Sequence, residues 1–190
     1  MKRKMHVFDT FKEKAEAAGN TAVHRVATKA EALDFIVGFL KKEGINDVAG
    51  SWAVWADSPI LTGVDTSALA ARVPGMKVGV TLELAKYAKI GITQMDWGIA
   101  NTGTMAQDST KADQRMASAL PWIHLAILGT NSIVADMQAL MTKMHPSKNT
   151  YIALITGPSK TADIERVLAI GVHGPERVVI LCVDELYGTN

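Results

Sequence analysis

His124-Leu125-Ala126-Ile127-Leu128 and Val178-Val179-Ile180-Leu181-Cys182-Val183 are apolar runs of strand length with almost no polar side chain inside them. A strand with one wet face alternates apolar and polar residues, whereas one covered on both faces reads as a continuous apolar run. Both segments are expected to be buried strands. Between them, Ile133, Val134, Met137, Leu140, Met141 and Met144 fall on one face of an expected helix ended by Pro146, and Tyr151 to Thr156 adds a further strand. Working upstream, a helix is expected from Lys111 to Leu120, stopping at Pro121. The apolar stretch from Ile90 to Ala106 is broken by Gly91, Gly98 and Gly103, which predicts short strands joined by tight turns close to a ligand. Met76 to Val80 and Val48 to Ala56 read as strands. Leu33, Ile36, Val37 and Leu40 recur at helical spacing, Thr28 with Glu31 has the form of a capping box, and Gly44 follows, so a helix spans about Lys29 to Glu43. Strands alternating with helices require crossover connections. The expected fold is therefore α/β, a mostly parallel sheet flanked by helices.

The first 20 residues read as an amphipathic helical extension with Gly19-Asn20 as its stop, packed on the body or on a partner, and residues 21–190 as one α/β domain. There is no internal repeat, low-complexity tract or linker. A chain of 190 residues, 48% hydrophobic and with a mean hydropathy of +0.11, buries a substantial core. Twenty basic residues against 19 acidic ones leave a net charge of +1, too little for a global field that recruits nucleic acid or a membrane surface. Met1-Lys2-Arg3-Lys4-Met5-His6 carries the positive charge of a signal peptide, but Asp9, Lys12, Glu13 and Lys14 interrupt any apolar segment after it. Export and membrane insertion are not expected, which makes the cytoplasm the expected location. The single cysteine, Cys182, allows no internal disulfide and no thiolate set for an iron–sulfur cluster.

The stretch least like scaffold is Thr156-Gly157-Pro158-Ser159-Lys160-Thr161-Ala162-Asp163-Ile164-Glu165, followed by Gly171-Val172-His173-Gly174-Pro175. Turn residues after a strand bring backbone N–H groups and short polar side chains to the rim of a sheet, where open α/β proteins hold ligands. Gly157 to Thr161 is not a P-loop, because Ser159 rather than glycine precedes Lys160. Ser159, Lys160 and Thr161 can still receive a carboxylate or phosphate; the alternative is a surface turn capped by Thr161. Asp163 and Glu165, two residues apart, would diverge on a helix, so Asp163 is expected to anchor the loop through backbone N–H groups rather than to transfer a proton. His173 either faces a ligand, titrating near neutral pH, or is satisfied by backbone carbonyls.

A second polar turn, Ile99-Ala100-Asn101-Thr102-Gly103-Thr104, can form the opposite wall of the same hollow. Asn101, Thr102 and Thr104 supply neutral donors and acceptors around Gly103; a plain β-turn is the alternative. Arg115 is the best candidate for a bidentate carboxylate or phosphate contact, against the default of a solvated helix-face arginine. His6, His24, His124 and His145 lack metal-ligand spacing, so no tightly held metal is expected.

At these residues the chain resembles the LUD-domain family (DUF162, YkgG-like), within it the lactate utilisation protein C group. The carriers are Gly91-Ile92-Thr93 with Asp96, Ile99 to Thr104, Arg115, Ser118 to Pro121, His124 and the whole of Thr156 to Pro175. The resemblance implies a NagB/RpiA/CoA-transferase-like fold and a non-redox role beside iron–sulfur subunits that together oxidise L-lactate to pyruvate. Such a chain has no cofactor of its own, clusters in its partners, and an oligomeric form as a further possibility. Asn101 stands where the family usually has an acidic residue. An amide forms no acyl anhydride and is no general base, so transferase chemistry through this position is not expected. The alternative function is a stand-alone enzyme or sensor binding a CoA-, folate- or sugar-phosphate-like anion.

Overall fold

A computed structural model describes residues 2–161, 169–171 and 173–187. In chain order these form α1 (Lys2–Ala17), β1 (Thr21–Val26), α2 (Lys29–Lys42), β2 (Trp52–Trp55), a 3-10 turn (Pro59–Leu61), α3 (Thr66–Ala71), β3 (Met76–Val78), α4 (Leu82–Lys86), β4 (Ala88–Met95), β5 (Trp97–Ile99) and β6 (Thr104–Asp108). There follow α5 (Ala112–Ala119), β7 (Ile123–Gly129), β8 (Ile133–Val134), α6 (Met137–Met141), β9 (Ile152–Ile155), β10 (Lys160–Thr161), β11 (Ala169–Ile170) and β12 (Arg177–Val183).

The two apolar runs are β7 and β12, neighbours in a six-stranded sheet of order β1-β12-β7-β4-β2-β3 in which every pairing is parallel. Alternation along them feeds two cores. Leu125 and Ile127 of β7, with Val179 and Leu181 of β12, pack against Ala32, Ile36, Val37 and Leu40 of α2. Ala126, Leu128, Ile180 and Cys182 face the other way, against Phe8, Phe11 and Ala15 of α1. Burying each large side chain contributes about 1.5–3 kcal/mol, so both faces hold the sheet. The amino-terminal helix is part of this core: Phe11 has no solvent exposure.

A second sheet, β8-β5-β6-β9, is antiparallel at β5–β6 and β6–β9 and parallel at β5–β8, and β10–β11 is a small antiparallel hairpin. Here the structure departs from the sequence reading in two places. Ile133 to Met144 is not one helix: the β-branched pair Ile133–Val134 joins β5 as a strand, and Asp136, accepting from the Ala139 N–H at 2.8 Å, starts a short helix only at Met137. Gly91 and Gly98 are not turn residues. Both lie within strands, where a Cβ on Gly91 would sit 1.8 Å from the Ala117 carbonyl oxygen of α5. That glycine exists so a helix backbone can touch the sheet. Gly103 alone of the three lies in a turn, at φ +66°.

Candidate functional site

β2 leads to β3 at one margin of the large sheet, while β4, its other neighbour, leads to β7 and β12 in the opposite direction. Connections that diverge from adjacent parallel strands leave a crevice outside their carboxyl ends, the usual ligand position in open α/β sheets. A cleft of about 640 Å³ opens there. Asp57, Ser58 and Pro59 after β2 line it, together with Lys143, Met144, Lys148 and Asn149 after α6. The lining also takes in Gln94 and Asp96 at the end of β4, Trp97 of β5, Gln107 and Asp108 of β6, and Lys111 and Gln114 at the start of α5.

Three amides of the lining form a hydrogen-bonded chain. Gln107 Nε2 donates to the Gln94 carbonyl at 2.8 Å and to Gln114 Oε1 at 2.9 Å, while its Oε1 accepts from Ser109 Oγ at 3.0 Å. Gln114 Nε2 donates to the Asp57 carbonyl at 2.7 Å. Gln94 Oε1 accepts the Ile60 N–H at 2.8 Å, which fixes the orientation of that amide. Gln107 and Gln114 are buried, so these partners satisfy groups that would otherwise destabilise the fold. The carboxylates are engaged as well. Asp96 Oδ2 accepts the Asp108 N–H at 2.6 Å. Asp108 takes Thr110 Oγ1 at 2.6 Å, the Thr110 N–H at 3.0 Å and Asn149 Nδ2 at 2.9 Å. Partial burial raises its pKa, but these donors outweigh that and hold it below the usual carboxylate value. Asp57 faces Lys111 at 3.7 Å across exposed surface.

The residues singled out in the sequence lie elsewhere. β6 carries both sets at opposite ends: Gln107 and Asp108 reach the cleft, whereas Asn101 to Thr104 form the far tip of the β5–β6 hairpin, beneath α1. Asn101 and Thr102 are exposed there. The structure does join this turn to the segment after β9, through Thr102 Oγ1, Thr104 Oγ1 and Thr156 Oγ1 spaced at 2.7 Å each. Gly103, however, faces α1 and Gly157 the residue just after it: ideal Cβ atoms would lie 2.2 Å from the Ala15 nitrogen and 2.7 Å from the Ala18 Cβ. Lys160 Nζ donates to the Ala18 carbonyl.

Ser159 exchanges backbone bonds with Pro175 and Gly171 at 2.8 and 3.0 Å, and Thr161 pairs with Ala169 in the β10–β11 hairpin. His173 is exposed in the loop before β12. This group therefore gathers near the amino ends of β1 and β12, away from the cleft at the carboxyl ends of β2 and β4. Asp163 lies outside the described residues. Arg115 stays near its own helix start, donating to the Ser109 carbonyl and to the Thr110 carbonyl at 3.0 Å, with its guanidinium 5.1 Å from the Tyr151 ring centre.

Asp96 is among the carriers of the family resemblance; the other cleft residues carried a signal that the sequence reading did not use. Asp57-Ser58-Pro59, Gln94 to Asp96 and Gln107-Asp108 are polar residues at the ends of apolar runs, which is where a parallel sheet exposes them. Two buried groups can be set aside as reactive centres. Burial pushes the Cys182 thiol up to about 12, so it is not a thiolate at neutral pH, and burial lowers His124 to about 4, so its ring is neutral.

Comparison with known proteins supplies a family. The chain is 38% identical over 110 residues to Lactate utilization protein C of Macrococcus caseolyticus and 34% identical over 110 residues to that of Halalkalibacterium halodurans, in each case covering 55% of this chain and 48% of the relative. It is 33% identical over 107 residues to the uncharacterized protein YkgG of Escherichia coli, covering 53% of this chain and 46% of the relative. The chain thus spans about half the length of the curated relatives it matches. In structure it resembles a DUF162 family protein from Deinococcus radiodurans, with a TM-score of 0.63, 19% identity, and coverage of 95% of this chain and 98% of the other, which shows a shared fold. A sequence profile of the LUD domain matches residues 8–183, from within α1 to the end of β12. The chain belongs to the LUD domain family.

Proposed function

We propose that this protein serves lactate utilisation as a subunit without a redox centre of its own, beside iron–sulfur proteins that carry the electrons. One observation carries this role: the stretch shared with proteins named Lactate utilization protein C, within a LUD domain match over nearly the whole chain. The chemistry of the chain fits it. Oxidation of lactate to pyruvate releases two electrons and two protons, and a lone cysteine buried in β12 cannot furnish a thiolate set to hold a cluster that would take them. Asn101 offers neither a nucleophile nor a base. The contribution of the subunit is then binding and assembly, in the cytoplasm. No helix among the described residues is long and apolar enough to cross a membrane.

Isolation of the tagged chain from its native cells tests this role. Cysteine-rich iron–sulfur proteins should co-purify, and the complex should reduce an electron acceptor with L-lactate while the chain alone does not. Recovery of the chain as a lone homo-oligomer, or lactate oxidation by the purified chain unaided, refutes it.

A further inference from the structure

The four-stranded sheet runs β8-β5-β6-β9 and so ends on β9. An edge strand presents unpaired N–H and C=O groups, which proteins guard with charges, proline, bulges or very short length. The other edges of the two sheets are guarded: β1 carries His24 and Arg25, β3 carries Lys77, and β8 is two residues long. β9 is not. It reads Ile-Ala-Leu-Ile, pairs with β6 without a register shift, and lies in a stretch with no charged residue from Asn149 to Ser159. The direction of its backbone groups follows from one bond. The Ser109 N–H donates to the Tyr151 carbonyl at 2.8 Å, and bonded pairs alternate along an antiparallel ladder, so Tyr151, Ala153 and Ile155 turn their main chain to β6 while Ile152 and Leu154 turn theirs outward. No hydrogen bond among the described residues reaches those outward groups. Thr150 and Thr156 are exposed, as are Tyr151 and Leu154, at 51% and 46%.

We propose that β9 pairs with the β9 of a second copy, antiparallel about a two-fold axis at Ala153, joining the two four-stranded sheets into one. Only outward-facing residues can bond across the edge, and centring on Ala153 uses all of them from Thr150 to Thr156. Ile152 then exchanges both backbone bonds with Leu154 of the second copy, and Ala153 meets its own copy in the close, non-bonded position. The side chains match under the same operation. Thr150-Tyr151-Ile152-Ala153-Leu154-Ile155-Thr156 reads alike in both directions: Thr150 faces Thr156, Tyr151 faces Ile155 and Ile152 faces Leu154, pairs of the kind that stabilise sheets. The smallest side chain falls on the axis, where two large ones would collide. Charge selects the same occupant. The nearest charged residues along the chain, Lys148 and Lys160, lie outside the paired stretch, so the edge meets its own copy without like-charge repulsion and offers a charged partner nothing to pair with. One strand a side makes a small contact, of the transient class below about 1,200 Å².

This pairing does not rest on the lactate role: absence of iron–sulfur partners would end that role and leave the pairing, whereas a monomeric purified chain would end the pairing alone. Sedimentation velocity on the full chain should show monomer giving way to dimer, and to nothing larger, as concentration rises. Leu154→Pro removes an outward N–H and spares the β6 ladder, so it should weaken the dimer about tenfold or more while urea unfolding shows the chain still folded. Ala153→Cys places two thiols on the axis, where Cα atoms about 4.5 Å apart fall within the roughly 4.4–6.8 Å that a disulfide spans, and mild oxidation should cross-link them. Tyr151→Cys, which faces Ile155 instead, should not cross-link, and the native Cys182 is buried. The proposal is overturned if the wild-type chain stays monomeric throughout, if folded Leu154→Pro dimerises as the wild type does, or if Ala153→Cys cross-links no better than Tyr151→Cys.

Discussion

His124 shows how one residue ties the sheet to its surroundings. In register it stands beside Gly91, on the face that α5 covers, and is fully buried; its Nε2 lies 2.8 Å from Thr93 Oγ1, and its Nδ1 has no partner among the described residues. Burial holds the ring neutral, lowering the pKa from 6.5 to about 4. Unfolding releases it to bind a proton, so between these values the unfolded chain holds more protons and stability falls as pH falls. His24, also lowered, chiefly by burial, acts in the same direction. Urea unfolding should show a loss of about 2 kcal/mol between pH 6.5 and about pH 5 from His124 alone, a slope that His124→Gln reduces by that amount. An unchanged slope in the variant would exclude His124 as its source. The strand around this histidine could be read from its apolar neighbours. Its neutral state could not, because that depends on α5 closing over Gly91, a contact between distant segments.

At the scale of elements, what could be read were features held within a single turn of chain. The capping box of α2 is present: Thr28 Oγ1 accepts the Glu31 N–H at 3.2 Å, and Glu31 Oε2 accepts the Thr28 N–H at 3.3 Å. The stretch from Ile133 to Met144 misled because two signals overlap. Its apolar spacing fits a helix, while the pair Ile133–Val134 also suits an edge strand, and pairing with Gly98 and Ile99 decides for the strand. Asp136 marks the switch, and α6 positions the chain that brings Lys143 and Lys148 to the cleft. Asp136→Ala should cost about 1 kcal/mol in urea unfolding, whereas Asp136→Asn should cost less, since an amide oxygen still accepts the Ala139 N–H. Equal losses in both would point to the charge rather than the cap.

Across the whole molecule, the large sheet has two unlike ends. The amino ends of β1 and β12 lie near α1 and the loops that carry the glycines, threonines and lysine most conspicuous in the sequence; the carboxyl ends of β2 and β4 hold the open cleft. A parallel α/β sheet could be read from the alternation of elements, but strand order could not, and strand order decides which polar ends share a crevice. Hence the sequence reading found Thr104 and Thr156 as members of one polar group, yet passed over Gln94, Gln107 and Gln114. The amino-terminal helix is where the two ends separate most clearly. If α1 were an appendage, its apolar residues would contribute little; instead Phe11 is fully buried in one cluster with Met95, Met105, Leu128 and Ile180 from four strands of both sheets. Phe11→Ala should therefore cost about 3–5 kcal/mol, the loss expected for an aromatic side chain removed from a packed core. The cleft lining shares no residue with that cluster. A loss below about 1 kcal/mol in denaturant titration would show the helix to be peripheral to the fold.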